Sequence, residues 1–156
     1  MRRLLESLSR LPFGIWYGIE WVGITEMAAR EDYAGAWDRA VALRMKAGER
    51  WLPPKLTLFE GFLQYKLGRY PEALEKTINA YLDLKPGHGI SATEARYLKC
   101  HARALGDLIG TKIKVKGGHH MTEDCATVDL NRVPVRTKKT FALWTHPEWE
   151  DLKGWK

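Results

Sequence analysis

Leu58-Phe59-Glu60-Gly61-Phe62-Leu63-Gln64-Tyr65-Lys66-Leu67-Gly68-Arg69-Tyr70-Pro71-Glu72-Ala73-Leu74-Glu75-Lys76-Thr77-Ile78-Asn79-Ala80-Tyr81 carries two helical periods separated by a turn. Upstream of Gly68, Leu56, Phe59, Leu63 and Leu67 form one apolar stripe, and Leu58, Phe62 and Tyr65 form a second. Gly68 sits where the first helix must stop. Pro71 suits the first turn of the next helix, and Glu72 lies at the favourable end of its dipole. The second helix shows its own stripe, Tyr70, Ala73, Leu74, Thr77, Ile78 and Tyr81, and Lys85-Pro86-Gly87 halts it. The stretch reads as two helices folded back on a short turn.

The same grammar extends outward. Asp32 is placed to cap a helix running to about Ala47, with Tyr33, Ala36, Trp37, Ala40 and Val41 as its stripe and Gly48 at its end. Pro53-Pro54 restarts the chain. Ile15 to about Arg30 is apolar nearly all round, which implies burial on several sides, and Gly18 and Gly23 offer room for a neighbouring helix. Ser91-Ala92-Thr93-Glu94 has capping-box spacing and predicts a fifth helix to about Leu105, ended by Gly106 or Gly110. Asp32-Tyr33-Ala34-Gly35-Ala36-Trp37 and Arg69-Tyr70-Pro71-Glu72-Ala73-Leu74 share the pattern charged–Tyr–x–x–Ala–apolar, 37 residues apart. A period in this range signals stacked hairpins.

Beyond residue 110 the pattern changes. Lys112-Ile113-Lys114-Val115-Lys116 alternates as a half-buried strand does. Cys125 to Leu130 and Val133 to Leu143 also have strand-like composition, with Pro134 tolerated at an edge or bulge. The expected fold is therefore mainly α, a helical-repeat core over 1–110 with a basic arm of β or irregular character over 111–156.

The stretch from Leu58 through Pro86 resembles a tetratricopeptide repeat. Gly61 matches the small residue midway along the first helix. Gly68 and Tyr70 match the turn glycine and the aromatic after it, Ala73 and Ala80 the small residues at the helix crossing, and Pro86 the closing proline. Thr77 stands where an aromatic is usual, and Glu31 holds the turn position in the preceding unit. The resemblance implies a curved stack whose concave side binds a peptide or partner subunit. It places Trp21, then Lys55, Leu58, Phe62, Tyr65 and Lys66, then Arg96 and Arg103 on that side, with Thr25 and Cys100 beside them. An aromatic floor edged by lysine and arginine suits an acidic peptide or a terminal carboxylate. The competing expectation is that the floor packs under the C-terminal arm. The asparagines that the family's chaperone-tail clamps use are absent at the matching positions.

Length and composition fit one globular domain: 156 residues, 45% hydrophobic and 28% charged. Seven tryptophans supply buried area or interface anchors. The net charge of +6 favours acidic partners. Arg132, Arg136, Lys138 and Lys139 fall within eight residues without an acid, and Lys112, Lys114 and Lys116 share one expected strand face. With Phe141 and Trp144 nearby, this arm is the alternative site, one that tracks a phosphate backbone and stacks a base, as in a ribonucleoprotein subunit.

Catalysis is not indicated. No GxxxxGK[ST] or GxGxxG occurs. Neighbours Cys100 and His101 on one helix point about 100° apart, which is no nucleophile–base geometry. His119, His120, Cys125 and His146 are too loosely spaced for a zinc site, and Gly117-Gly118-His119-His120 reads as a turn. Neither cofactor nor metal is expected. Cys100 and Cys125 form no CxxC pair, so unpaired thiols in the cytoplasm or another reducing compartment are expected. The basic, leucine-bearing Met1–Arg10 segment also has the look of an organelle presequence, although an ordinary first helix explains it. No apolar run reaches membrane-spanning length.

Overall fold

The computed structural model describes residues 12–114 and 125–142. These residues fall into two compact units, divided between Trp51 and Leu52. Six α-helices and two short 3-10 turns make up the described chain, and no strand occurs among the described residues.

Unit one contains α1 (Phe13–Ala29) and α2 (Tyr33–Ala47), packed against each other. The join is tight. Glu31 takes a left-handed conformation (φ 63°), and the Asp32 backbone N–H donates to the Met27 carbonyl at 2.9 Å. Asp32 caps α2 as its sequence position implies, its carboxylate accepting from the Gly35 N–H at 3.0 Å. Ala36, Ala40, Leu43 and Ala47 are the buried residues of α2, and Trp16, Ile24 and Ala28 those of α1. Small residues on α2 allow a close approach. Glu20 and Arg39 tie the two helices together at 2.8 Å, and the Arg39 guanidinium lies over Gly23 where a side chain would stand.

Unit two contains α3 (Pro54–Lys66), α4 (Tyr70–Asp83) and α5 (Ala92–Ile113). It also holds 3-10 turns at Cys125–Thr127 and Leu130–Arg132, and α6 (Val135–Ala142). The turn between α3 and α4 closes with two backbone bonds. Gly68 donates to Tyr65 at 3.1 Å and Arg69 donates to Gln64 at 2.9 Å. This terminator needs a left-handed residue, and Gly68 supplies it at φ 76° without a Cβ penalty. At the crossing of α3 and α4, a Cβ added to Gly61 would sit 2.7 Å from the Thr77 hydroxyl. Thr77 itself donates to the Ala73 carbonyl at 2.7 Å. Gly61, read as the small residue midway along the first helix, thus faces Ala73, read as a crossing residue, while Ala80 is buried on the same helix as Ala73. Lys76 and the buried carboxylate of Glu60 add a 3.6 Å ion pair between the same two helices.

Helix α5 corrects the expected boundary. Ser91 caps it, accepting from the Glu94 N–H at 3.1 Å as the capping box implies. The helix does not stop at Gly106 or Gly110; both are buried inside it, and it runs to Ile113. Packing explains this. Ala102, Leu105 and Ile109 bury their side chains, and that burial outweighs the roughly 1 kcal/mol that each interior glycine costs. Lys112 and Ile113 are thus the last helical turn and Lys114 its left-handed cap, not a strand. A lysine there is favoured by the dipole, which produces the same short alternation as a strand.

The other expected strands are also overturned. Cys125–Thr127 and Leu130–Arg132 are single 3-10 turns, and Val135–Ala142 is helical. Pro134 does not interrupt an edge strand. It leads into α6, its carbonyl accepting from Lys138 at 3.1 Å, while Val133 before it stays extended at ψ 130°. The alternating pattern here spans too few residues to separate a strand from a two-turn helix. Val115, Lys116 and the tail Trp144 to Lys156 lie outside the described residues.

Cys100 of α5 and Cys125 are joined in a disulfide, their Cα atoms 5.8 Å apart. This corrects the expectation of unpaired thiols, and the cysteine-based argument for a reducing compartment falls with it. The sequence hid the pair because the two residues are 25 apart with no framework around them.

Candidate functional site

Three surfaces bear on function: the α3 stripe that the sequence singled out, the basic arm, and an outward row on α1.

Leu58, Phe62 and Tyr65 are core residues, with 0%, 1% and 5% of their surface accessible. Both stripes of α3 are buried, because helices pack on more than one side of it and Phe141 of α6 adds an edge-to-face contact with Phe59 at 6.2 Å. Lys66 is half-buried, with its ammonium over the Phe62 and Tyr65 rings at 5.8 and 5.9 Å. Lys55 is half-buried near the start of α3. Burial lowers its pKa, with Glu94 opposing and Arg136 reinforcing the shift. Arg96 donates to the Thr127 hydroxyl at 2.6 Å, and Arg103 is exposed on α5. Trp21 lies in unit one, half-buried and stacked along Tyr17 at 6.4 Å. Of the expected set, Arg96 bonds to the segment 125–142, and Lys55 feels the charge of its Arg136. Leu58, Phe62 and Tyr65 sit where a partner reaches them only if their cover moves.

The segment 125–142 is fastened at several points along its length. The disulfide holds its start, Arg96 meets Thr127, and the Thr137 hydroxyl donates to the buried Glu94 carboxylate at 2.6 Å. Phe141 ends it, buried against Phe59 and, at 5.4 Å, the His101 ring. His101 is itself buried, with the Tyr97 ring edge-on at 4.6 Å, and burial pushes its pKa down to about 3. Sequence reading missed this aromatic cluster because its members lie 42, 40 and 4 residues apart on three elements.

Anchoring turns the basic residues outward. Arg132, Arg136 and Lys139 are exposed and Lys138 is half-exposed. Arg132 pairs with Asp129 at 3.5 Å. Phe141, expected beside them as a stacking ring, is in the core instead. Trp144 and Lys116, as well as His119, His120 and His146, lie outside the described residues. Cys125 is committed to its disulfide. Among the described residues, no group of three or more His, Cys, Asp or Glu side chains is gathered in metal-binding geometry.

The third surface was not anticipated. Ile15, Ile19 and Val22 recur at i, i+4 and i+7 along α1, with 55%, 43% and 52% of their surface accessible. Val41 and Met45 on α2 are exposed one turn apart. A helix apolar nearly all round was expected to be buried on several sides. In fact Trp16, Ile24 and Ala28 are its buried residues. The signal was in the sequence: beyond the face that one neighbour needs, the remaining isoleucines and valine fall in a row of their own. No described helix is long and apolar enough to cross a membrane.

Comparison of the chain with protein-family models, with curated proteins and with solved structures finds no match in any of the three.

Proposed function

We propose that this chain is a non-catalytic protein-interaction module of tetratricopeptide-like hairpins, a scaffold or adaptor that contacts a partner protein through the apolar row on α1. The observation that carries the reading is the exposure of Ile15, Ile19 and Val22 on one helical face. Contiguous apolar surface on a water-exposed helix is disfavoured unless something covers it, and such rows mark interaction sites. The repeat reading is supported by the α3–α4 hairpin, with Gly61 at the crossing and Gly68 at the turn. The partner suited to this row presents an apolar helix or patch, and Glu26, exposed one turn beyond Val22, gives a cation on it somewhere to pair.

The test is a photo-cross-linking residue placed at position 19 of the full chain, irradiated in its native extract. A discrete protein adduct is expected. Val22→Asp in the same chain should abolish it, because an unpaired carboxylate inside an apolar interface costs about 2 kcal/mol or more of binding. An adduct unaffected by Val22→Asp, or none at all, rejects the row as the contact surface.

A further inference from the structure

We infer that the outward face of residues 132–139 is a nucleic-acid docking surface that grips the phosphate backbone without reading bases. This surface lies on different residues from the α1 row and holds or fails independently of it.

Arg136 and Lys139 are three residues apart on α6 and share one exposed face, and exposed Arg132 lies in the 3-10 turn before the extended Val133 that leads into this helix. Residues three apart on a helix have Cβ atoms about 5–6 Å apart, so the Arg136 and Lys139 cations stand side by side. Bringing like charges together costs free energy in the isolated chain, and an anion at the same place offsets that cost. Two carboxylates are near. Glu94 is buried and accepts from Thr137, and Asp129 pairs with Arg132 while its carboxylate also accepts from the Asn131 N–H. The segment carries four bases and one acid over 125–142.

Rigidity is the second observation. A loose basic tail must be ordered when it binds. Here the disulfide, the Arg96–Thr127 and Thr137–Glu94 hydrogen bonds and the buried Phe141 hold the segment before any ligand arrives. Third, the chemistry is restricted to charge. With Phe141 in the core, the described face has no aromatic ring to stack on a base, and its exposed apolar residues are Leu130 and Val135. Two scattered apolar side chains are a poor membrane anchor, whereas a short cation row matches the regular charges of a nucleic-acid strand. Recognition through phosphates alone is sequence-tolerant and strongly salt-dependent.

The experiment measures binding of a labelled duplex oligonucleotide to the full, non-reduced chain by fluorescence anisotropy across salt. From about 50 to 200 mM salt the affinity should fall about 40-fold if three phosphates are neutralised and about 150-fold if four are. Oligonucleotides of different sequence should bind alike. The Arg132→Gln, Arg136→Gln, Lys139→Gln triple variant should keep its circular dichroism and melting temperature, since all three side chains are exposed, and lose at least tenfold in affinity. A second readout needs no variant: acetylation of Lys138 and Lys139, followed by mass spectrometry, should slow when DNA is present, while exposed Lys85 reacts unchanged. No binding at low salt overturns the inference. So does binding that survives the triple variant, protection of Lys85 equal to that of Lys139, or tighter binding to anionic vesicles or polyglutamate than to DNA at equal charge.

Discussion

Single residues show where this chain departs from the simplest helical grammar. Glu31 sits at φ 63° in the α1–α2 turn, a conformation that costs an L-residue with a Cβ about 1–2 kcal/mol. Glycine accepts it freely, at some expense in unfolded-chain entropy. Glu31→Gly should therefore raise the stability of unit one by about 0.5–1 kcal/mol, read as an upward shift in the midpoint of chemical denaturation. His101 makes the opposite kind of statement. Enclosed by the Tyr97 and Phe141 rings, its imidazole stays neutral in the folded chain down to about pH 3, whereas the unfolded chain takes up a proton near 6.5. Between those values the unfolded state binds more protons, so stability falls as pH falls. From pH 7 to pH 5 this group alone should remove about 2 kcal/mol, and His101→Leu should flatten that part of the pH profile. A wild-type profile no steeper than the variant's would mean that the ring is not held in an apolar site. Neither feature is visible in the sequence. Backbone sign and burial are set by what surrounds a residue, and the surroundings of His101 come from the far end of the chain.

At the scale of elements, local signals were legible and long-range ones were not. The Asp32 and Ser91 caps, the Gly68 terminator, Pro71 in the first turn of α4 and the Gly61 crossing could all be read, because each rests on residues within a few positions of one another. The end of α5 could not. A glycine breaks an exposed helix, yet Gly106 and Gly110 are carried through by the side chains buried on either side of them. The segment 125–142 was assigned the wrong element for a related reason. Its conformation is fixed by attachment, through Cys100, Arg96, Glu94 and Phe59, and those partners are 25 to 82 residues away. The disulfide is the strongest attachment. Closing a loop of that length limits the unfolded chain and contributes about 3 kcal/mol. A dithiol reductant should thus lower the unfolding free energy of the wild type by that amount and leave a Cys100→Ala, Cys125→Ala variant unmoved. An intact mass unchanged by reduction and alkylation would show that the bond does not form.

Across the molecule as a whole, apolar surface is of two kinds. The α3 stripe, which the repeat resemblance marked as a binding floor, is core. The α1 row, which composition marked as core, is exposed. The α3 stripes were legible in the sequence and the α1 row was not; which apolar side chains the rest of the chain covers depends on how the elements pack within each unit. The denaturation free energies of Phe62→Ala and Ile19→Asp, measured side by side on the isolated chain, test this assignment most directly. Phe62→Ala should cost about 3–5 kcal/mol, as truncation of a buried aromatic does. Ile19→Asp should change stability by no more than about 0.5–1 kcal/mol, since a half-exposed face already meets water. An Ile19→Asp loss as large as that of Phe62→Ala, or a Phe62→Ala change near zero, would contradict the account by reversing which of the two rows is core.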